Sequence, residues 1–457
     1  MKERGMQEVS PGARQYRPNV PSVVILGGGF GGLNAARALR HAPVRVTLVD
    51  RRNHHLFQPL LYQVATATLN PSDIASPIRG ILRSQRNVSV VLAEAISVHV
   101  GAKRVILADG AIAYDYLLVS TGATHSYFGH DAWATHAPGL KSIEDALEVR
   151  RRVFVAYEAA ERETDPGRRR DWMTSVIIGA GPTGVELAGA LAEISRHALD
   201  QDFRNIDPRR ARIVLVEALP RVLPTYPAEL SERARRQLER LGVEVRTDAR
   251  VTEIDEAGVS LGEQRIGART VIWAAGVAAS PLARSLGAPL DRAGRLLVDP
   301  DLTVPGRDDI FVIGDLAALV QDGRPIPGVS SAALQEGRHA ARNIVRALHG
   351  EPYLPFRYSD KGSFAVIGRG AAVGEVLGRF QLSGFLAWLA WLVIHIYFLI
   401  GFRNRLLVMF HWAYSYLTYR RSARLITGLT HPRILEARER EGTSPSRDPA
   451  FRVLGDR

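Results

Sequence analysis

Two glycine-rich turns are the first features of this 457-residue sequence that could carry out chemistry. The first lies in PSVVILGGGFGGLNAARALRHAPVRVTLVD (21–50), where Gly27, Gly29 and Gly32 fit the spacing G-x-G-x-x-G and Asp50 ends the next apolar run. In such a unit the first glycine makes a tight turn, the second lets a pyrophosphate approach, and the third lets the helix pack closely on the strand. The acid binds ribose hydroxyls. This stretch therefore predicts a strand, a helix and a second strand that bind a dinucleotide.

The same pattern recurs later in the chain. SVIIGAGPTGVELAGALAEI contains Gly179, Gly181 and Gly184 after another apolar run, and ARIVLVEA ends its strand with Glu217. A polar insertion (196–211) lengthens the interval between the loop and the acid. Two such units imply two dinucleotides.

Glu217 also bears on which nicotinamide cofactor binds. An acid at this position favours the free 2′-hydroxyl of NADH over the 2′-phosphate of NADPH, whereas a nearby arginine favours the phosphate. Arg221 lies close in sequence. The sequence predicts NADH and leaves use of NADPH open.

Three further strands end in small or acidic residues. YDYLLVSTGA (114–123) and RTVIWAAGV (269–277) end in small-residue turns, and DDIFVIGDLAA (308–318) ends in Gly-Asp. At the mouth of a strand, Asp315 can hydrogen-bond a flavin ribityl chain, or it can cap the helix that follows. The sequence is compatible with both roles of Asp315.

Composition excludes several chemistries. The chain has no cysteine, which removes disulfides, iron–sulfur clusters, thiolate metal sites and cysteine nucleophiles. The net charge of +12 favours an anionic partner, but no nucleic-acid-binding motif is present. We predict no metal site, because the adjacent His54 and His55 are more typical of structural histidines.

A long apolar stretch near the end of the chain stands apart. GFLAWLAWLVIHIYFLIGFRNRL (384–406) is followed by LLVMFHWAYSYLTY (406–419), and arginines punctuate both runs. The pair could be a buried core, could contain one membrane span, or could lie in the plane of one leaflet. We favour the in-plane arrangement, with Trp388, Trp391 and Trp412 at the membrane–water interface.

Together these residues resemble the flavoproteins that have two dinucleotide-binding domains. RRNHHLFQPLLYQVATATLNPSDIASPIR (51–79), GPTGVELAG (181–189), DKGSFAVIGRGAAV (360–373) and the apolar stretch are similar to the type II NADH dehydrogenases. These are single-subunit NADH:quinone oxidoreductases. The resemblance covers about residues 22–428 and implies an α/β fold with two Rossmann-like domains plus a C-terminal membrane-associating helical segment.

The resemblance also implies roles for individual positions. It implies non-covalent FAD, oxidation of NADH, two-electron reduction of a membrane quinone (menaquinone or ubiquinone) and no proton pumping. Glu186, Gln335 and Lys361 are the expected catalytic residues, although Ser331 replaces a glutamine of the family's quinone-side motif. The expected cofactor-binding residues are Gly27, Gly29, Gly32, Asp50, Arg51, Thr121, Gly122, Gly179, Gly181, Gly184, Glu217, Gly276, Gly314 and Asp315.

The implied organisation is a discontinuous FAD domain (21–150 and 296–360) around an NADH domain (151–295). A membrane-anchoring region (361–430) follows these domains. The charged segment 160–172 is the predicted crossing point between the FAD and NADH domains, and flexible tails are expected at 1–20 and 431–457. We expect a homodimer, peripheral or monotopic on the cytoplasmic face of the cell membrane, with no nucleic-acid partner. Two alternatives remain open: a soluble ferredoxin- or rubredoxin-type reductase, and a membrane-tethered redox-sensing flavoprotein.

Overall fold

The computed structural model describes residues 20–199, 201–400, 402–418 and 423–427. The predicted tails at 1–20 and 431–457 lie outside these residues, apart from residue 20. The strands of the two large sheets are β1 (Ser22–Leu26), β2 (Arg45–Asp50), β3 (Val88–Leu92), β4 (Tyr116–Val119), β5 (Thr174–Ile178), β6 (Arg212–Val216), β7 (Val243–Arg246), β8 (Thr270–Trp273), β9 (Thr303–Val304) and β10 (Arg307–Val312). The main helices are α1 (Phe30–Ala38), α2 (Ile143–Arg162), α3 (Pro182–Glu193), α4 (Ala228–Arg240), α5 (Ser330–Leu348), α6 (Phe385–Phe398) and α7 (Phe402–Thr418).

The first large sheet has the strand order β9-β10-β4-β1-β2-β3. All its neighbours are parallel except β9 and β10. β1 is buried along its whole length, which explains why its sequence is a continuous β-branched and apolar run. Because β10 pairs with β4, a late segment of the chain completes a sheet that the first segment begins.

The second large sheet has the order β7-β6-β5-β8 and is parallel throughout. Ala123–His125, which follows β4, and Val277–Ala279, which follows β8, pair as antiparallel strands. The predicted crossing segment 160–172 contains the end of α2 and a short helix, Pro166–Trp172, capped by the side chain of Asp165. The boundary predicted at 150/151 falls inside α2.

Smaller sheets flank these units. Two three-stranded antiparallel sheets comprise Ala95–His99, Arg104–Leu107, Gly110–Ala113 and Glu253–Asp255, Gly258–Leu261, Gln264–Gly267. A third comprises β11 (Gly362–Gly368), β12 (Ala371–Val376) and β13 (Phe380–Ser383), and leads directly into α6 and α7. The predicted α/β fold with two Rossmann-like units is confirmed.

Candidate active site

The two glycine loops have nearly identical geometry. Gly27 and Gly179 have φ values of +98° and +99°, in a region that side chains rarely adopt. Their N–H groups donate to Val49 O at 2.8 Å and Val216 O at 2.7 Å, on the neighbouring strand in each case. Each loop therefore leaves its strand through a turn that favours glycine.

The third glycine of each loop allows helix and strand to touch. A Cβ atom on Gly32 would lie 1.9 Å from Gly27 O, and one on Gly184 would lie 1.8 Å from Gly179 O. Any side chain here would separate the helix from the loop. This is the close packing that the sequence predicts for these positions.

The second glycine of each loop faces open space. A Cβ atom on Gly29 or Gly181 would meet no atom within 4 Å, and both residues are the N-caps of their helices, α1 and α3. The backbone N–H groups at a helix N-terminus favour a bound phosphate. Both loops thus have the shape and polarity that a dinucleotide pyrophosphate requires.

The two acids brace the loops. Asp50 accepts hydrogen bonds from Gly28 N at 2.6 Å and Arg52 N at 2.7 Å. Glu217 accepts from Ala180 N at 2.7 Å and from the N–H of residue 219 at 2.9 Å. Both side chains belong to partly exposed residues, so they can also reach a ribose. Sequence reasoning predicted the ribose contact but missed the bracing.

The side chains of Arg51 and Arg221 make other contacts than these hydrogen bonds. Arg51 is exposed and forms a salt bridge with Glu94 at 3.7 Å. Arg221 donates to Pro224 O at 3.2 Å.

The residues predicted to complete the first site lie at the ends of β4 and β10. Among the described residues, the buried Thr121 Oγ1 has no hydrogen-bond partner. Gly122 and Gly314 both have positive φ. Lys141 Nζ lies 3.7 Å from Asp315, and burial raises the pKa of this aspartate although the lysine lowers it. An orphaned hydroxyl near an open glycine loop fits a bound FAD.

Gly276, predicted for the second site, follows β8. A Cβ atom here would lie 2.6 Å from the ring of Phe128, whose residue is exposed. The glycine therefore permits the aromatic ring to cover this turn.

Glu186 lies in the middle of α3, against the C-terminal sheet. Its Oε1 accepts a hydrogen bond from Val366 N at 3.4 Å, which is long. Burial raises the pKa of Glu186 to about 8, and the Val366 hydrogen bond only partly offsets this. Helix α3 thus brings a carboxyl group that is mainly protonated at neutral pH to the junction with β11.

Gln335 contacts the segment that precedes Lys361. Gln335 Oε1 accepts from Ser359 N at 3.0 Å, and its Nε2 donates to Ser359 O at 3.0 Å. This double hydrogen bond fixes the segment that leads to Lys361, which is exposed. Ser331 shares a hydrogen bond with the Tyr358 hydroxyl at 2.9 Å.

Two polar residues of the first site escaped the sequence reasoning as functional candidates. Ser120 Oγ donates to Leu26 O at 2.8 Å and Gly27 O at 3.0 Å. Glu336 accepts from Gly314 N at 2.5 Å. His55 Nδ1 lies 3.0 Å from Gly28 O, consistent with the expected structural role. Within the described part of the chain, no group of three potential ligands is placed to hold a metal ion.

The helices α6 and α7 turn one face inward. Trp391 and Trp412 are 0% and 2% exposed, and their rings lie 5.2 Å apart. Trp412 Nε1 donates to Gln63 Oε1 at 2.7 Å. The prediction that these two tryptophans lie at a membrane interface is therefore wrong: they attach the helices to the body of the protein.

The opposite face of α6 and α7 is apolar and exposed. Its members occupy one stripe on each helix and carry no charge. We call them the apolar face: Phe385, Leu386, Leu389, Val393, Tyr397, Leu406, Met409 and Phe410. Their exposed fractions run from 37% to 69%. In the regions that the structure describes, no helix combines the length and apolarity needed to cross a membrane.

Comparison with known proteins gives concordant results. Residues 21–337 match the family described as pyridine nucleotide-disulphide oxidoreductase, and residues 361–421 match the NDH2 C-terminal domain. The structure of NDH2 from Plasmodium falciparum in complex with NADH is similar, with a TM-score of 0.80 at 20% identity. The similarity covers 89% of this chain and 100% of that chain, and supports the fold.

Sequence relatives are more specific. A type II NADH:quinone oxidoreductase of Mycobacterium tuberculosis is 44% identical over 426 residues, covering 90% of this chain and 91% of the relative. A type II NADH:quinone oxidoreductase of Staphylococcus aureus is 32% identical over 375 residues, covering 78% and 90%. The predicted family is thereby confirmed: this chain belongs to the type II NADH:quinone oxidoreductases.

Proposed function

We propose that this chain oxidises NADH and reduces a membrane quinone through non-covalently bound FAD, without pumping protons. The observation that carries this proposal is the apolar face, held on a chain that also contains two open dinucleotide loops. A water-soluble electron acceptor gives no reason for an exposed apolar surface of this extent. A quinone with a hydrophobic tail explains such a surface, because the quinone lies in the bilayer and the enzyme must bind there to reduce it.

We assign the first loop to FAD and the second to NADH. The loop at Gly27, Gly29 and Gly32 belongs to the sheet that β10 completes, so Asp315 and Thr121 lie at the same sheet edge. Two signals support FAD here: the orphaned Thr121 hydroxyl and the open space at Gly29. When bound, FAD supplies the two-electron carrier between nicotinamide and quinone.

Residues of the second unit orient NADH. Gly181 leaves room for the pyrophosphate, and Gly179 and Gly184 fix the loop. Glu217 offers a carboxylate to the adenosine ribose and disfavours a 2′-phosphate. The protein's task at this step is to position the nicotinamide and exclude water, rather than to supply a nucleophile.

Glu186 is the proposed proton-holding residue. Conversion of a quinone to a quinol consumes two protons with the two electrons, and a carboxyl group with a pKa of about 8 can hold and donate one near neutral pH. The side chain lies between the NADH-binding helix and the C-terminal sheet. Gln335 fixes the segment before Lys361, and we propose that both residues border the quinone headgroup.

The apolar face is the proposed lipid-binding surface. With 14 and 17 residues, α6 and α7 are about 21 Å and about 26 Å long. Both are shorter than the roughly 30 Å hydrocarbon core, which favours an in-plane, monotopic arrangement. The net charge of +12 adds attraction to anionic lipid.

The family likeness supports a homodimer on the cytoplasmic face of the membrane. Light scattering of the purified protein should give a mass twice that of one chain. Inverted vesicles should oxidise added NADH, whereas sealed right-side-out vesicles should not.

The decisive experiment is anaerobic. NADH is mixed with the purified holoprotein until the flavin absorbance bleaches, and a short-chain menaquinone or ubiquinone analogue is then added. We expect the absorbance to return at a rate that matches steady-state turnover. Bleaching without recovery by any quinone would instead support the redox-sensing alternative, and recovery with ferredoxin or rubredoxin alone would support the soluble reductase.

A further inference from the structure

We propose that Glu336 is a positioning residue for FAD, which acts by holding the backbone of the turn that carries Asp315. The inference rests on the proposed FAD site and adds a residue to it.

The contact is between the second turn of α5 and the end of β10. Gly314 N donates to Glu336 Oε2 at 2.5 Å, and Glu336 is 3% exposed. Gly314 has φ +70°, a conformation that favours glycine, and it begins the short 3-10 turn that contains Asp315. An N–H group at such a turn has no partner in the sheet, and a buried carboxylate is a strong acceptor for it.

Helix α5 is itself fixed against the first glycine loop. A Cβ atom on Gly337 would lie 2.2 Å from Gly31 O, and one on Gly31 would lie 3.2 Å from Ala333 O. Helices α1 and α5 therefore meet backbone to backbone beside Glu336. One rigid helix consequently sets the distance between the pyrophosphate loop and the Asp315 turn, the two parts of the site that must hold the same FAD molecule.

The electrostatic surroundings make this carboxylate costly. Burial and the neighbouring Asp315 raise the pKa of Glu336 to about 7, whereas the Gly314 hydrogen bond lowers it. Lys141 Nζ lies 3.7 Å from Asp315, and the pKa of Tyr358 is raised by burial and in smaller part by Glu336. Among the described residues, no lysine or arginine forms a salt bridge with Glu336. A carboxylate that is buried beside another acid, without a paired cation, costs folding free energy. Stability alone therefore does not account for Glu336 at this position.

The test is FAD affinity, measured at pH 8, where Glu336 is mainly ionised. FAD is stripped from wild type, Glu336→Ala and Glu336→Gln, and rebinding is followed by quenching of flavin fluorescence. Loss of a charge-assisted hydrogen bond predicts binding about ten- to hundred-fold weaker for the alanine variant. The glutamine variant keeps an acceptor oxygen of the same reach and should recover much of the affinity.

The control is Glu351→Ala, which removes an exposed acid paired with Arg346 just beyond the same helix. It should bind FAD as wild type does. The melting temperature of each apoprotein is measured in parallel. A merely structural role predicts that the alanine variant loses apoprotein stability in proportion to its FAD affinity, with no rescue by glutamine.

The outcomes separate the two proposals. If wild type binds no FAD, the proposed function fails. If wild type binds FAD and Glu336→Ala binds it within about two-fold as tightly, the proposed function stands and Glu336 is not a positioning residue. If the alanine variant does not fold, Glu336→Met takes its place, because methionine keeps the length of the side chain but removes the acceptor oxygen. FAD binding by Glu336→Met within about two-fold of wild type then overturns the inference.

Discussion

The contact between Gly189 in α3 and the strand β11 predicts that one added methyl group lowers both stability and quinone turnover. A Cβ atom on Gly189, in α3, would lie 1.6 Å from Ile367 O, in β11. Real Cβ contacts essentially never fall below 3.0 Å, so Gly189→Ala must push the helix and the strand apart by at least about 1.4 Å. The added Cβ atom is fixed by the backbone of α3, and the atom that it meets is a backbone oxygen of β11. No flexible side chain can therefore absorb the shift.

The expected magnitude follows from two opposing terms. Overpacking of a well-packed contact costs about 1–3 kcal/mol, and more when backbone must move. Alanine gains roughly 1 kcal/mol over glycine in a helix interior. The clash should win, and it acts three residues from Glu186. We therefore expect a lower melting temperature and a several-fold loss of quinone turnover, while NADH still bleaches the flavin.

The matched control is Gly80→Ala. Gly80 is also a helical glycine, within Ile78–Leu82, but a Cβ atom there would find its nearest neighbour at 3.9 Å. Helix propensity alone then operates, and this variant should be as stable as wild type or slightly more stable. Thermal unfolding and stopped-flow absorbance check both variants. A Gly189→Ala protein that melts at or above the wild-type temperature and keeps full quinone turnover would refute the reasoning.

Three further outcomes are expected. Gly29→Val fills the open space at the first loop and should yield folded protein without FAD. The control Gly101→Val, where an added Cβ atom also meets no atom within 4 Å, should retain FAD, and the flavin absorbance of the purified proteins tests both variants. In wild type, quinone turnover measured over a pH series should fall as pH rises through about 8, because Glu186 is protonated below its raised pKa and ionised above it. The variant Glu186→Gln should reduce quinone slowly and show no such fall near pH 8, while NADH still reduces its flavin at the wild-type rate. Phe410→Glu on the apolar face should reduce sedimentation with anionic liposomes, whereas Ile96→Glu, at an exposed apolar residue of a small sheet, should not.

The elements predictable from the sequence are those fixed by local pattern. β1 and β5 are buried on both faces, so their inner residues form the apolar runs Val23–Leu26 and Val176–Ile178. The last glycine of each G-x-G-x-x-G motif is required by a close contact within the same loop. Features that depend on distant partners were not predictable. The role of Gly189 requires knowledge of β11, and the burial of Trp412 depends on Gln63.

The segment 160–172 shows a second kind of limit. Its charges and Pro-Gly pair suggested a linker, but proline is well tolerated at the start of a helix and Asp165 caps that helix. The pairing of Ala123–His125 with Val277–Ala279 was not predictable, because the two strands have three residues each and lie far apart in the sequence. Short paired strands carry too few residues for a periodic signal.

Helix α3 connects the chemical steps physically. It begins at Gly181 beside the NADH loop, carries Glu186 near its centre and meets β11 at Gly189, all within 12 residues or about 18 Å. Because glycine lets backbone touch backbone at Gly189, there is no side chain to deform between the helix and the sheet that leads into α6. We therefore expect a displacement of the proposed NADH loop to be transmitted along α3 to Glu186 and β11. The two ends of the motif GPTGVELAG therefore have opposite steric demands: Gly181 faces open space, whereas Gly189 contacts the backbone of β11.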